Sequence, residues 1–279
     1  MGSEMCIRDR TWLDCLAIEA RVVGLEVSHK TEALAVGLPA ASPPPDLLLL
    51  DGSLVPYRDQ VKLLGSLLPS CADDIDNRIS LAWHALRKVR ALWRKPLGMY
   101  KKQDLFKVLV LTVLTYGAET WTLTDALADK LDGNVTRMLR YIYRIGYAIH
   151  KSREELYLGM PLISSTIKQR RLQLAGHLAR TNQLDTSRGP SAGLRAAQPG
   201  RHLLTWPGPA LARRNPSAVR TFKEQLVQDM GGLGLSVIWT KMQNKVVWSE
   251  VVTKNDPPAV GKARVYKKGR KAQKAVQGV

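Results

Sequence analysis

At 279 residues the chain has room for one large domain or two small ones, and its 45% apolar content is ordinary for a folded protein. Lys plus Arg number 42 against 24 Asp plus Glu, and the excess sits in one half: residues 1 to 136 carry 16 basic and 17 acidic side chains, residues 137 to 279 carry 26 and 7. So basic a half-chain draws polyanions through counterion release, while the lack of a long apolar run excludes a bilayer-spanning helix and three cysteines exclude a disulfide framework or a Cys/His metal cluster.

In chain order, Met5-Cys6-Ile7-Arg8-Asp9-Arg10 reads as the translation of a sequencing adapter, so residues 1–10 are expected to stand apart from the fold. Charges at Glu4, Arg8, Asp9 and Arg10 leave no apolar core for a secretory signal. Leu13, Leu16, Ala17 and Ala20 recur at helical spacing and predict a helix over 11–21. Short strands are expected at 33–36, 47–50 and 61–68, broken by Ser42-Pro43-Pro44-Pro45 and turned at Asp51-Gly52. Residues 11–70 thus form a small strand-bearing region.

From Cys71 the pattern turns helical, and a bundle is expected over 71–181. A helix over 72–93 places Ile75, Ile79, Ala82, Leu86, Val89 and Trp93 on one stripe, with Arg87, Lys88, Arg90 and Arg94 outside it. A more apolar helix follows over 102–116. The helix over 125–145 turns Leu127, Leu131, Val135, Met138, Leu139 and Ile142 inward and leaves Arg137, Arg140 and Arg144 for solvent or a phosphate backbone. Helices over 153–157 and 165–180 complete the bundle. A Pro/Gly/Arg-rich linker is expected over 182–217, two helices within 218–253, and a disordered basic tail over 254–279 that carries Lys267, Lys268, Arg270 and Lys271.

Three constellations invite a chemical reading. Asp73-Asp74-Ile75-Asp76 has the look of a metal-binding carboxylate set, yet adjacent helical residues point about 100° apart, and acids at a helix start are favoured by the dipole alone. Gly231-Gly232-Leu233-Gly234 lacks the Lys-Ser/Thr and preceding strand of a phosphate loop and reads as a helix cap. Lys168, Arg170, Arg171 and Arg180 share a helix with Ile167, Leu174 and Leu178, which are expected to anchor its opposite face. Trp83, Trp93 and Trp121 are expected in the core.

The segment Leu114-Thr115-Tyr116-Gly117-Ala118-Glu119-Thr120-Trp121 and the later Lys130-Leu131-Asp132-Gly133-Asn134-Val135-Thr136-Arg137-Met138-Leu139-Arg140 together resemble the region downstream of the polymerase palm in non-LTR (LINE-type) retrotransposon reverse transcriptases. The likeness extends to Lys62-Leu63-Leu64-Gly65-Ser66, Glu154-Glu155-Leu156-Tyr157, Met160-Pro161-Leu162 and Arg170-Arg171-Leu172-Gln173-Leu174-Ala175-Gly176-His177, and covers residues 13 to 253. Val23-Gly24-Leu25 with Lys30-Thr31-Glu32 resembles the palm segment that follows the family's Asp-Asp turn, and that turn has no counterpart here.

The resemblance implies a mainly α fold: a small β-hairpin remnant of a polymerase palm, a thumb-like helical bundle and a basic C-terminal extension. It implies a fragment that binds RNA, DNA or an RNA–DNA hybrid and lacks catalysis, with no cofactor of its own; Mg²⁺ belongs to the full-length family enzyme, whose upstream palm and fingers would be the missing partners. Lys30 would be a relict of the nucleotide site, and Lys62, Arg137, Arg140, Arg144, Lys168, Arg170, Arg171, Arg180, Lys267, Lys268, Arg270 and Lys271 would hold nucleic acid. The alternatives are a non-catalytic binding or scaffold protein derived from a decayed element, or a pseudogene translation. A secreted location is not expected; nucleus and cytoplasm stay open.

Overall fold

The computed structural model describes residues 2–28, 30–34, 46–48, 52, 54–146, 148–181 and 221–260. The fold is mainly helical with a few small sheets. The chain divides into two compact units between Asp74 and Ile75. The linker expected over 182–217, and Lys267, Lys268, Arg270 and Lys271 of the expected tail, lie outside the described residues.

The first unit opens with α1, Gly2–Val22, which starts well before the predicted residue 11. The cause is local: Glu4, Met5, Arg8 and Arg10 are good helix formers, with no Gly or Pro among residues 3–22. Six short strands follow. β1 (Ala33–Leu34) runs parallel to β4 (Tyr57–Arg58), and β2 (Leu47–Leu48) antiparallel to β3 (Leu54–Val55). Leu47 and Val55 form a small buried core with Leu13, Val27, Ala33 and Tyr57 around it. The single strand predicted over 61–68 is instead a hairpin of β5 (Val61–Leu63) and β6 (Ser66–Leu68). Its two turn residues, Leu64 and Gly65, both have positive φ, 48° and 91°, the backbone that lets a two-residue turn match strand twist.

The second unit is built from helices, and three of the predicted ones are interrupted. α2 (Cys71–Lys88) stops at Val89 before a short α3 (Arg90–Arg94). There the Trp93 indole donates to the Leu86 carbonyl at 2.9 Å, filling one of the acceptors that a helix end leaves open. The 102–116 helix becomes α4 (Met99–Phe106), a π-helical turn (Lys107–Leu111) and α5 (Thr112–Leu114). Phe106, Val110, Leu114 and Ala118 are buried, whereas Val108 and Leu109 are exposed.

α6 (Asp125–Tyr143) is capped by the Thr124 hydroxyl, and α7 (Arg153–Tyr157) by a reciprocal Ser152–Glu155 capping box. Then comes α8 (Ile163–Thr181). After the undescribed stretch lie α9 (Phe222–Asp229), α10 (Leu235–Gln243) and α11 (Lys245–Lys254). The last two were one helix in the sequence reading. Asn244 separates them because its side chain accepts from the Val246 and Val247 backbone amides and so starts a new helix.

α8 is the axis of this packing. Leu172, Ala175 and Ala179 join Phe222, Leu226, Ile238, Met242, Trp248 and Val252 in one core cluster. The Trp248 indole lies so close over Gly176 that an added Cβ would collide with it, and its nitrogen donates to the Leu172 carbonyl at 2.9 Å. Residues 255–260 run back beside the α7–α8 connection: Ala259 bridges Pro161, and the Gly159 amide donates to the Val260 carbonyl at 2.8 Å. These residues fall within the expected disordered tail but share backbone hydrogen bonds, which order a chain.

Candidate nucleic-acid interface

The residues of the strongest candidate surface, from Asp76 onward on α2 and from Lys130 onward on α6, lie in the second unit. On α2, Asp76, Trp83 and Arg87 share a stripe by helical spacing; on α6, Lys130, Asn134, Arg137 and Tyr141 do the same, and Arg144 is the left-handed residue that ends α6 just beyond them. The two stripes meet in a crease. At one end Lys130 pairs with Asp76. In the middle the Trp83 indole donates to Asn134 Oδ1 at 3.3 Å. Beyond it the Trp83 and Tyr141 rings make an edge contact, 6.3 Å between centroids and 84° between planes. The Arg87 guanidinium lies over the Trp83 ring, 5.8 Å from its centroid.

Charge and exposure set this crease apart. Arg87, Arg137 and Arg144 are exposed, and none has a carboxylate partner among the described residues. Tyr141 is 38% exposed and Trp83 half-buried. Burial of Trp93 and Trp121 follows the sequence reading; Trp83 departs from it, because its indole spans two helices at their solvent edge rather than filling the interior. The signal was present as an aromatic and an arginine four residues apart, Trp83 and Arg87, a pair that meets on any helix surface.

The other predicted contacts scatter. Arg140 turns back, its Nη2 donating to the Gly146 and Ile149 carbonyls at 2.6 and 2.9 Å, and so closes the loop after α6. Lys30 and Lys62 are exposed but belong to the first unit. Lys30 uses its backbone amide on Ser28 Oγ, at 3.2 Å.

The expectation that Lys168, Arg170, Arg171 and Arg180 form one nucleic-acid-binding face of α8 needs correction at Arg171. Arg171 is 1% exposed and paired with Asp229. It sits four residues after Ile167 and four before Ala175, on the buried stripe itself. Arg170 donates to Thr115 Oγ1 at 2.8 Å, and Arg180 to the Met242 carbonyl at 3.1 Å. These arginines tie α8 to its neighbours. Of the expected anchors Ile167 is fully buried and Leu174 and Leu178 only partly, and Leu172, Ala175 and Ala179 complete the buried side of α8.

Lys168 lines a cleft of about 250 Å³ with Asp125, Ser164, Arg171, Gln225 and Asp229. Two acids balance two bases there, so the cleft offers a polyanion no net attraction. Arg171 Nε and Nη2 and Gln225 Oε1 are buried without a hydrogen-bond partner.

The acids of the α2 start diverge. Asp73 accepts from Gln60 Nε2 at 2.8 Å, Asp74 from the Leu67 amide at 3.0 Å, and Asp76 pairs with Lys130. Among the described residues no group of three or more His, Cys, Asp or Glu side chains could hold a metal ion. Gly231 and Gly232, with φ of 71° and 82°, close the end of α9, their amides bonded to the Gln228 and Val227 carbonyls. No helix among the described residues is long and apolar enough to cross a membrane. Comparison of the chain with protein-family models, with curated proteins and with solved structures returns no match.

Proposed function

We propose that this chain binds nucleic acid through the α2–α6 crease and that it is the post-palm, thumb-like part of a non-LTR reverse transcriptase, one that grips template and primer without joining nucleotides. The observation that carries the binding is the set of three exposed arginines, Arg87, Arg137 and Arg144, which have no carboxylate partner among the described residues and lie about an aromatic pair. Phosphates would replace the missing counter-charges, and the counterions they release would supply affinity. RNA, DNA and the RNA–DNA hybrid all offer that backbone.

The polymerase ancestry rests on the motif resemblance. It gains physical support from the way those motifs engage one another. Arg170 of the Arg170–His177 segment bonds Thr115 of the Leu114–Trp121 segment, and Asp132 of the Lys130–Arg140 segment caps α8. Sequence fragments that interlock in this way act as one folded unit. The non-catalytic part of the reading rests on the motif comparison, in which the family's Asp-Asp turn has no counterpart.

The test is direct. The whole chain is titrated against a single-stranded RNA, a duplex DNA and an RNA–DNA hybrid, and incubated separately with primer–template, nucleotides and Mg²⁺. The proposal expects binding that weakens steeply between about 50 and 200 mM salt and no primer extension. Salt-insensitive binding would overturn the interface, and Mg²⁺-dependent extension would overturn the non-catalytic reading. A second reading, a binding protein derived from a decayed element, shares the interface; the same Arg87, Trp83 and Tyr141 geometry favours it equally.

A further inference from the structure

We infer that the α2–α6 crease takes an unpaired nucleotide, with a base stacked on the Arg87 guanidinium above Trp83 and the neighbouring phosphates at Arg137 and Arg144. The inference rests on the nucleic-acid reading and narrows its ligand from any polyanion to a strand with an exposed base face. Four observations carry it. The Trp83 ring is fixed rather than free, held by Asn134 at its nitrogen and by the Tyr141 edge contact. Arg87 lies over that ring, with no carboxylate partner among the described residues. A guanidinium is planar and weakly hydrated, and it stacks on bases as aromatic rings do. Finally, Arg137 lies one turn before Tyr141 on the solvent side of α6, and Arg144, also exposed, is the left-handed residue that ends the helix three positions after Tyr141.

A regular duplex cannot use this arrangement. Its bases stack on each other and show only their edges in the grooves, so a guanidinium plane finds phosphates but no base face. An unpaired base has a face to give, in RNA and in DNA alike. The Asp76–Lys130 pair closes one end of the crease, and the free cations lie toward the other, which gives the strand a direction to leave by.

The experiment uses the whole chain and four probes of equal length at one salt concentration: single-stranded RNA, single-stranded DNA, the same DNA strand built from abasic residues, and duplex DNA. The inference expects base-bearing single strands to bind roughly five- to 150-fold tighter than the abasic strand, with parallel salt dependence. A preference seen in only one sugar supports the inference and names the strand. Trp83→Leu, checked for an unchanged circular dichroism spectrum, should bring the ratio of base-bearing to abasic binding toward one. Equal binding of abasic and base-bearing strands by the natural chain overturns the inference while leaving the nucleic-acid reading intact, as does a ratio untouched by Trp83→Leu. Failure to bind any of the four probes overturns both.

Discussion

Asp132, in the middle of α6, caps the start of α8: its carboxylate accepts from the Ile163 amide at 2.9 Å, the Ser164 amide at 3.2 Å and the Ser164 hydroxyl at 2.6 Å. The first amides of a helix have no intrahelical partner, and here a buried side chain from another helix supplies three bonds at once. Asp132→Ala should therefore lower stability by about 1–3 kcal/mol, read as a fall in the urea midpoint. Asp132→Asn keeps one acceptor oxygen and should lose less. Equal losses for the two variants would show that the cap does not act through its acceptors.

The contact of Trp248 with Gly176 makes the opposite kind of demand, for the absence of atoms. A methyl group at position 176 would meet the indole ring, and overpacking of this kind costs about 1–3 kcal/mol. Gly176→Ala should lower the urea midpoint although alanine is the better helix former. A rise in the midpoint would mean that the indole moves aside freely.

The Arg171–Asp229 pair is buried on both sides, with Arg171 Nε and Nη2 left unbonded. Removing one partner strands a charge, so Asp229→Ala should cost about 3–5 kcal/mol. The double replacement Arg171→Met with Asp229→Leu removes both charges and should be far milder, neutral or even stabilising. A double variant as unstable as the single one would show that shape, not charge, is what the pair supplies.

Stability should fall in alkali. Burial pushes the Tyr157 hydroxyl up from the ordinary tyrosine value of 10.0, with the Asp132 charge adding to it and the Thr136 hydrogen bond opposing. Burial first, then the Asp104 charge and Tyr100, push Tyr143 up as well. A folded-state value above the unfolded one favours the folded form while the group stays protonated. The contribution is therefore whole below the unfolded value and is lost as pH rises through the folded one. Tyrosinate absorbance of these two residues should appear together with unfolding, not before it; Tyr143→Phe should move the alkaline transition upward. Tyrosinate signal from all eight tyrosines ahead of any loss of helix would contradict this.

How far the sequence could be read depended on what each side chain answers to. Apolar periodicity in α2 and α6 is a local signal, and Ile75, Ala82, Leu86, Leu131, Val135 and Met138 all lie inside as their spacing predicts. The interruption at Asn244 answers to a side-chain cap, and the one at Val89 to the Trp93 bond to the Leu86 carbonyl, neither of which periodicity registers. Arg171 looked solvated because arginine usually is; only Asp229, 58 residues away, makes its burial tolerable. The crease was half legible. Arg137 and Arg144 were picked from their stripe, but Trp83, Arg87 and Tyr141 join them only once two helices are laid side by side.

The most direct test of the account is the salt dependence of single-stranded RNA binding by the natural chain and by the triple variant Arg87→Gln, Arg137→Gln, Arg144→Gln. All three side chains are exposed, so the variant should fold. Each phosphate contact on a single strand contributes about 0.7 to the slope of log affinity against log salt. The account predicts that the slope of the triple variant is shallower by about 2 and that its affinity is weaker. An unchanged slope with unchanged affinity would place the nucleic acid elsewhere on the chain, or nowhere on it.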